Sequence, residues 1–371
     1  MSGWLPHPPS GSVMTPQLVL TFGSPSALKE PGLLEEVTNA FPDALLFGCS
    51  TAGEIHGTRV TDLSLVVTCV EFESSSIETA RVAIENSTQS YEAGQQLAAS
   101  ISAEGLRHAF VLSDGLSVNG SDFVSGLRSR LPANVTVTGG LSGDGPHFKR
   151  TYVIWNGIPE TGIAGIVGFY GDRLSVGYGS LGGWDPFGPE RIITRSSGNV
   201  LYEFDGRSAL ALYKTYLGEH AAGLPATGLL FPLSLRTADG ENGVVRTILA
   251  IDEETQSMTF AGDVPEGSYA RLMKANFDRL IDGAVGAAKA SRLASPGEPD
   301  LAVLISCVGR KLLLGQRIEE EVEGVREVLG DRTVLTGFYS YGEISPFTPN
   351  ARCELHNQTM TITTITEGQG G

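Results

Sequence analysis

A chain of 371 residues, with 41% hydrophobic, 8% aromatic and 18% charged side chains, has room for about two domains and a substantial core. Its formal charge of −16, from 42 acids against 26 bases, repels phosphate backbones and anionic lipid, so nucleic acid and membrane surfaces are excluded as expected partners. The 47 glycines belong to a folded, turn-dense protein rather than to a disordered acidic chain.

Residues 1–16 lack a charged n-region and a long apolar run, so they read as a flexible leader and not as a signal peptide. A helical pattern over Pro31–Ala40 lies between LVLTFG (Leu18–Gly23) and ALLFGCSTAGEI (Ala44–Ile55). The pattern returns further on. FVLSDG (Phe110–Gly115) precedes a helical stretch at Asp122–Leu131 and then VTVTGGLSGDG (Val135–Gly145). A third copy runs from VLISCVG (Val303–Gly309) through a helix at Gln316–Leu329 to TVLTGFYSYGEI (Thr333–Ile344). Thr21 to Gly48 and Ser113 to Gly140 share one offset of 27 residues, and Ser306 to Gly337 is four longer.

Each copy is trailed by strand-like runs: Leu63–Phe72, then Thr151–Asn156 with Gly162–Tyr170, then Cys353–Ile365. Further helices are expected at Ser90–Ala103, Phe204–Leu217 and Tyr269–Arg292. The fold class that follows is α/β, with mixed sheets and flanking helices, in two related domains built from repeated strand–helix–strand units. Their boundary is expected near Gly198–Gly206, giving domains at 17–200 and 201–371.

The longest apolar stretch, Gly162–Tyr170, is about half of what a membrane helix needs, so no membrane insertion is expected. Cys49, Cys69, Cys307 and Cys353 form no CxxC pair, which points to a reduced, cytoplasmic protein without a disulfide framework.

In such units the turns at the carboxyl ends of the strands are where ligands bind. They are rich in glycine and hydroxyls, and each second turn carries an acid: Glu54, Asp144 or Glu343. These acids either accept from a cationic ligand group or cap backbone amides. Arg310, just after a buried strand, either clamps a ligand carboxylate or pairs internally with Glu343. Cys49 and Cys307 are soft ligands, reactive thiols or small buried hydrophobes.

The motifs GCSTAGEI (Gly48–Ile55), SCVGR (Ser306–Arg310), GFYSYGEI (Gly337–Ile344) and LHNQT (Leu355–Thr359), in that order, resemble the FIST sensory domains of bacterial signal transduction. The resemblance runs from about Gln17 to Thr366, with the FIST N-terminal and C-terminal halves at 17–200 and 201–371. It implies a cytoplasmic sensor of a small ligand, with amino acids as the ligands proposed for the family. The partner would be a histidine kinase, a cyclic-di-GMP enzyme or a chemoreceptor. A chain of this length resembles the stand-alone type, some members of which bind haem and sense nitric oxide through a partner kinase.

The expected ligand-binding residues are Ser306, Cys307, Arg310, Tyr339, Tyr341, Glu343 and Asn357 in one half, and Cys49, Ser50, Thr51 and Glu54 in the other. No cofactor is required by this reading. If haem binds instead, the candidate axial ligands are His56, His147, His220 and His356. No nucleophile elbow, Walker loop, His-Glu-x-x-His or dinucleotide fingerprint is present, so no enzyme activity is expected.

Overall fold

The computed structural model describes residues 14–236, 243–294, 298–347 and 351–368. The leader expected over residues 1–16 lies outside them except for its last three positions. The fold is mixed α/β. The first unit runs β1 (Leu18–Gly23), α1 (Pro25–Leu28), α2 (Leu33–Ala40), β2 (Leu45–Ser50), β3 (Glu54–His56), β4 (Arg59–Thr61) and β5 (Leu65–Val70). The second runs β6 (Ser76–Ala83), α3 (Ser90–Ala99), β7 (Leu106–Ser113), α4 (Gly120–Arg128), β8 (Thr136–Leu141), β9 (Val153–Trp155), β10 (Ile158–Glu160), β11 (Ile163–Tyr170) and β12 (Leu174–Leu181).

A separate lobe follows, with β13 (Asp185–Ser197), β14 (Val200–Phe204), β15 (Arg207–Ser208), α5 (Ala209–Leu217), β16 (Leu233–Arg236), β17 (Val244–Arg246), β18 (Ile248–Asp252), β19 (Ser257–Phe260) and β20 (Tyr269–Lys274). The chain then returns through α6 (Phe277–Ala294) to the third unit. That unit holds β21 (Leu301–Cys307), α7 (Val308–Leu314), α8 (Ile318–Leu329), β22 (Val334–Ser340), β23 (Gly342–Pro346), β24 (Cys353–His356) and β25 (Met360–Glu367). Two helical expectations thus shorten. Phe204 ends β14 and turns through 205–206 into the short β15, while 269–274 form β20, whose alternate residues Ala270 and Leu272 pack on the lobe's core and not on a helix face.

Each unit centres on a parallel pair joined through helices: β1 with β2, β7 with β8, and β21 with β22. The first strand of each pair also takes an antiparallel strand of its own unit: β5, β11 or β25. These first strands are apolar on both faces because both are covered.

The other edge of each pair is filled by exchange. Hairpin β9–β10 of the second unit pairs with β2, β23–β24 of the third pairs with β8, and β3–β4 of the first pairs with β22. Three backbone hydrogen bonds close the cycle where the units meet: Gly143 to Ser50 (2.8 Å), Tyr341 to Leu141 (3.2 Å) and Ala52 to Tyr339 (2.8 Å). The three sheets therefore surround one core with pseudo-threefold symmetry. Phe22, Phe47, Phe110, Ile305 and Phe338 meet there, with the Phe22 and Phe338 rings 4.8 Å apart.

The ladder corrects the alignment of the copies. Thr21 pairs with Gly48, Val111 with Gly139 and Leu304 with Gly337, so Thr21 corresponds to Val111 and Leu304 and not to Ser113 and Ser306. A side chain on any of the three glycines would strike the partner carbonyl, at 1.7 Å for Gly48 and 1.8 Å for the other two.

Helices α3 and α4 interlock through glycines. A Cβ on Gly94 would lie 2.2 Å from the Phe123 carbonyl, and one on Gly126 would lie 2.0 Å from that of Tyr91. Gly126→Ala should push the two helices apart and cost about 1–3 kcal/mol, read as a lowered thermal midpoint. An unchanged midpoint would show that the contact gives way freely.

Candidate functional site

The acids at the turns after β2 and β22 do the same job. Thr51 donates to Glu54, and Glu54 also accepts from the Ser64 amide (3.1 Å) and hydroxyl (2.6 Å) at the start of β5. Ser340 donates to Glu343 at 2.7 Å, and Glu343 accepts from the Thr359 amide (3.2 Å) and hydroxyl (2.9 Å) before β25. Both carboxyls are wholly buried staples that fix where the antiparallel strand begins. Burial pushes the Glu54 carboxyl up and the Glu343 carboxyl up to about 8, against the pull of their hydroxyl and amide donors.

The second unit departs from this pattern. The closing hydrogen bonds put Ser142 at the Thr51 and Ser340 position and Gly145 at the glutamate position. The Ser142 hydroxyl accordingly has no partner among the described residues. Its staple is Asp114, which accepts from the Gly162 amide (2.9 Å) and the Thr151 hydroxyl (3.0 Å). Asp144, expected as the equivalent of Glu54 and Glu343, stands one place earlier and does something else. It accepts from Tyr341 and from the amides of Phe148, Lys149 and Arg150, which holds the 145–150 loop and keeps its carboxyl below the usual range despite partial burial.

Arg310 is engaged internally, and its partner is not Glu343. It is 0% exposed and pairs with Glu321 on α8 (2.7 Å), while also donating to the carbonyls of Gly182 and Leu280. Ser306 (3.1 Å) and Tyr339 (2.8 Å) donate to the same carboxylate. Three of the expected ligand residues thus form one internal ion-pair network.

Tyr341 stacks on Phe148 with ring centroids 4.2 Å apart and lines a smaller cavity of about 270 Å³. Cys49 sits in the central core and Cys307 at the start of α7. Burial pushes both thiols up, which suits small hydrophobes rather than reactive thiols. Asn357 is buried, its side-chain oxygen without a partner among the described residues. Ser50 accepts from the Tyr152 amide at 2.8 Å. All four cysteines are free.

The larger cleft, about 790 Å³, is built by turns from all three units. The first gives Ser24–Ser26, Lys29 and Thr51–Glu54. The second gives Asp144–His147, Lys149 and Arg150, and the third gives Val308, Lys311, Leu312 and Gly315. Of the expected residues, Thr51 and Glu54 line it, whereas Arg310, Glu343, Tyr339, Ser306, Cys307 and Asn357 do not. Lys311 reaches across, donating to the Ala52 carbonyl at 2.8 Å and pairing with Asp62. Lys29, Lys149, Arg150 and Lys311 are cleft residues that the sequence motifs do not mark. The available signal was basic residues placed just after the glycine turns of a chain poor in bases.

Residues 17–207 match the family model described as the FIST N domain, and residues 209–346 match the FIST C domain. This chain belongs to the FIST family. FIST domains serve sensory signal transduction and small-ligand binding. The two FIST matches meet inside the separate lobe, whereas two of the three sheets, those of β8 and β22, draw strands from both.

An uncharacterized protein of Methanocaldococcus jannaschii, MJ1623, is 25% identical over 209 residues, covering 52% of this chain and 39% of that protein. The FIST chain therefore spans well under half the length of this curated relative. The crystal structure of a cyanuric acid hydrolase from A. caulinodans aligns over 80% of this chain and 100% of that one, at 12% identity and a TM-score of 0.20. Among the described residues no helix is long and apolar enough to cross a membrane.

Haem would need an axial side chain facing an apolar slot. Of the four candidate histidines only His147 lines the large cleft, on its exposed lip. His56 and His220 are exposed and do not line it. His356 is buried with Nε2 2.8 Å from the Ser345 carbonyl. Three of the four are thus exposed to water and the fourth is already hydrogen-bonded, and none is held in an apolar slot.

Proposed function

We propose that this FIST protein is a cytoplasmic sensor whose ligand, an amino acid or similar small metabolite, binds in the 790 Å³ cleft. The observation that carries this reading is that turns of all three exchanged units wall one concavity. A ligand touching all three is sensitive to their relative placement. It shifts a signalling equilibrium only by binding one arrangement better than another. The output would pass to a partner such as a histidine kinase or a cyclic-di-GMP enzyme.

Thermal unfolding with a panel of amino acids and central metabolites tests the reading. A true ligand at about 100 times its Kd should add roughly 2.7 kcal/mol to folded-state stability. Leu312→Trp, at an exposed cleft-lining position, should leave the fold intact and abolish that gain. A ligand that stabilises this variant as much as the parent protein binds elsewhere, and the assignment then fails.

A further inference from the structure

The charges on the cleft do not cancel. Its three acids are all engaged: Asp62 with Lys311, Asp144 with one hydroxyl and three amides, and Glu54 with two hydroxyls and an amide. Lys311 is engaged in turn. Lys29, Lys149 and Arg150 remain, and none has an acidic partner within ion-pair distance among the described residues.

Two of these cations, from different units, line the same cleft and border the same aromatic ring. Lys29 Nζ lies 5.7 Å and the Arg150 guanidinium carbon 5.3 Å from the centroid of the same Tyr152 ring. The Tyr152 ring is itself buried, so it is a fixed platform. The Asp144 carboxylate holds the amides of Lys149 and Arg150, which pins the backbone that presents the second cation. In a chain of net charge −16, concentrating unneutralised cations at one concave site opposes the overall field. Like charges gathered this way repel one another, and a bound anion relieves that repulsion.

Resting on the sensor reading above, we infer that the ligand is a small molecule bearing at least two negative charges, on a phosphate or on paired carboxylates, held by Lys29 and Arg150 with Lys149 beside them. A zwitterionic amino acid brings one carboxylate and an ammonium that would face these cations. A phosphate or dicarboxylate presents two acceptors to both sides of the cleft, and Arg150 can take one of them bidentately.

Calorimetric titration of the full chain with inorganic phosphate, succinate and glutamine separates the possibilities. Phosphate or succinate should bind about tenfold or more tightly than glutamine, and added salt should weaken it. The tighter of the two identifies the anionic group. Lys29→Ala combined with Arg150→Ala should lose about tenfold for the dianion and nothing for glutamine. Arg130→Ala with Lys289→Ala, two exposed cations off the cleft, should change neither. Tighter binding of glutamine than of both dianions, or indifference to the Lys29 and Arg150 changes, overturns the anionic assignment. So does the absence of heat with all three probes. The sensor reading falls separately, and only if Leu312→Trp leaves the affinity of whatever ligand binds unchanged.

Discussion

Arg310→Ala should cost about 3–5 kcal/mol of folding free energy, because it leaves the Glu321 carboxylate buried without its cation. Both side chains are fully enclosed, so water offers no substitute partner. The loss has a second component. Arg310 joins α7 to the Gly182 carbonyl after β12 and to the Leu280 carbonyl on α6, and both of those tethers go with it. Urea unfolding would show the midpoint falling with the slope unchanged. Arg310→Met with Glu321→Met should recover part of the loss, since an apolar pair of similar volume carries no unpaired charge. A loss below about 1 kcal/mol for Arg310→Ala would mean that the pair behaves like a surface one. The same variant tests function. Wherever it remains folded, ligand affinity should be unchanged, because Arg310 does not line the cleft.

Glu343→Gln should change how stability depends on pH. The folded protein holds the Glu343 carboxyl at about 8 against a free value of 4.5. Between those values the unfolded chain has released its proton while the folded chain keeps it. The side chain's contribution is thus fully present below about 4.5 and is lost as pH rises towards 8. Glutamine carries no proton to lose. The stability of Glu343→Gln relative to the parent protein should therefore grow across that window, by on the order of 1 kcal/mol per pH unit. Taking the difference removes the titrations common to both proteins, including those of the buried His108 and His356. Unfolding midpoints from pH 4.5 to 8 supply the comparison, and parallel curves would show that Glu343 is ionised in the folded state. Ser340 and Thr359 hydroxyls can rotate to serve an amide, which keeps the substitution compatible with the staple.

These two residues show where sequence reading reached and where it stopped. The Gly-Glu turns mark their acids in the sequence, and capping of backbone amides is one of the two roles such acids can take. The structure gives them that role because Ser64 and Thr359 arrive at the strand starts beside them. The sequence also places Arg310 at a buried position next to the third turn, as observed, but points to Glu343 where the structure has Glu321. Glu321 closes an acidic run, Glu319–Glu320–Glu321, that reads as the solvent face of an amphipathic helix. Only the docking of α8 turns that one carboxylate inward while its two neighbours stay outside the network.

What the sequence alone determined is local and periodic. It holds three strand–helix–strand units, strands apolar enough to be buried on both faces, glycines where a second strand ends, and a net charge of −16. Apolar periodicity and turn chemistry act over a few residues, so they are readable without coordinates. The tertiary structure alone decided that each unit lends its trailing hairpin to a neighbour's sheet. It likewise decided that the cleft is walled by Lys29, Arg150 and Lys311 instead of Arg310 and Glu343. A strand edge carries the same backbone donors and acceptors whichever unit it meets. The choice of partner therefore rests on long-range packing that no stretch of sequence encodes by itself.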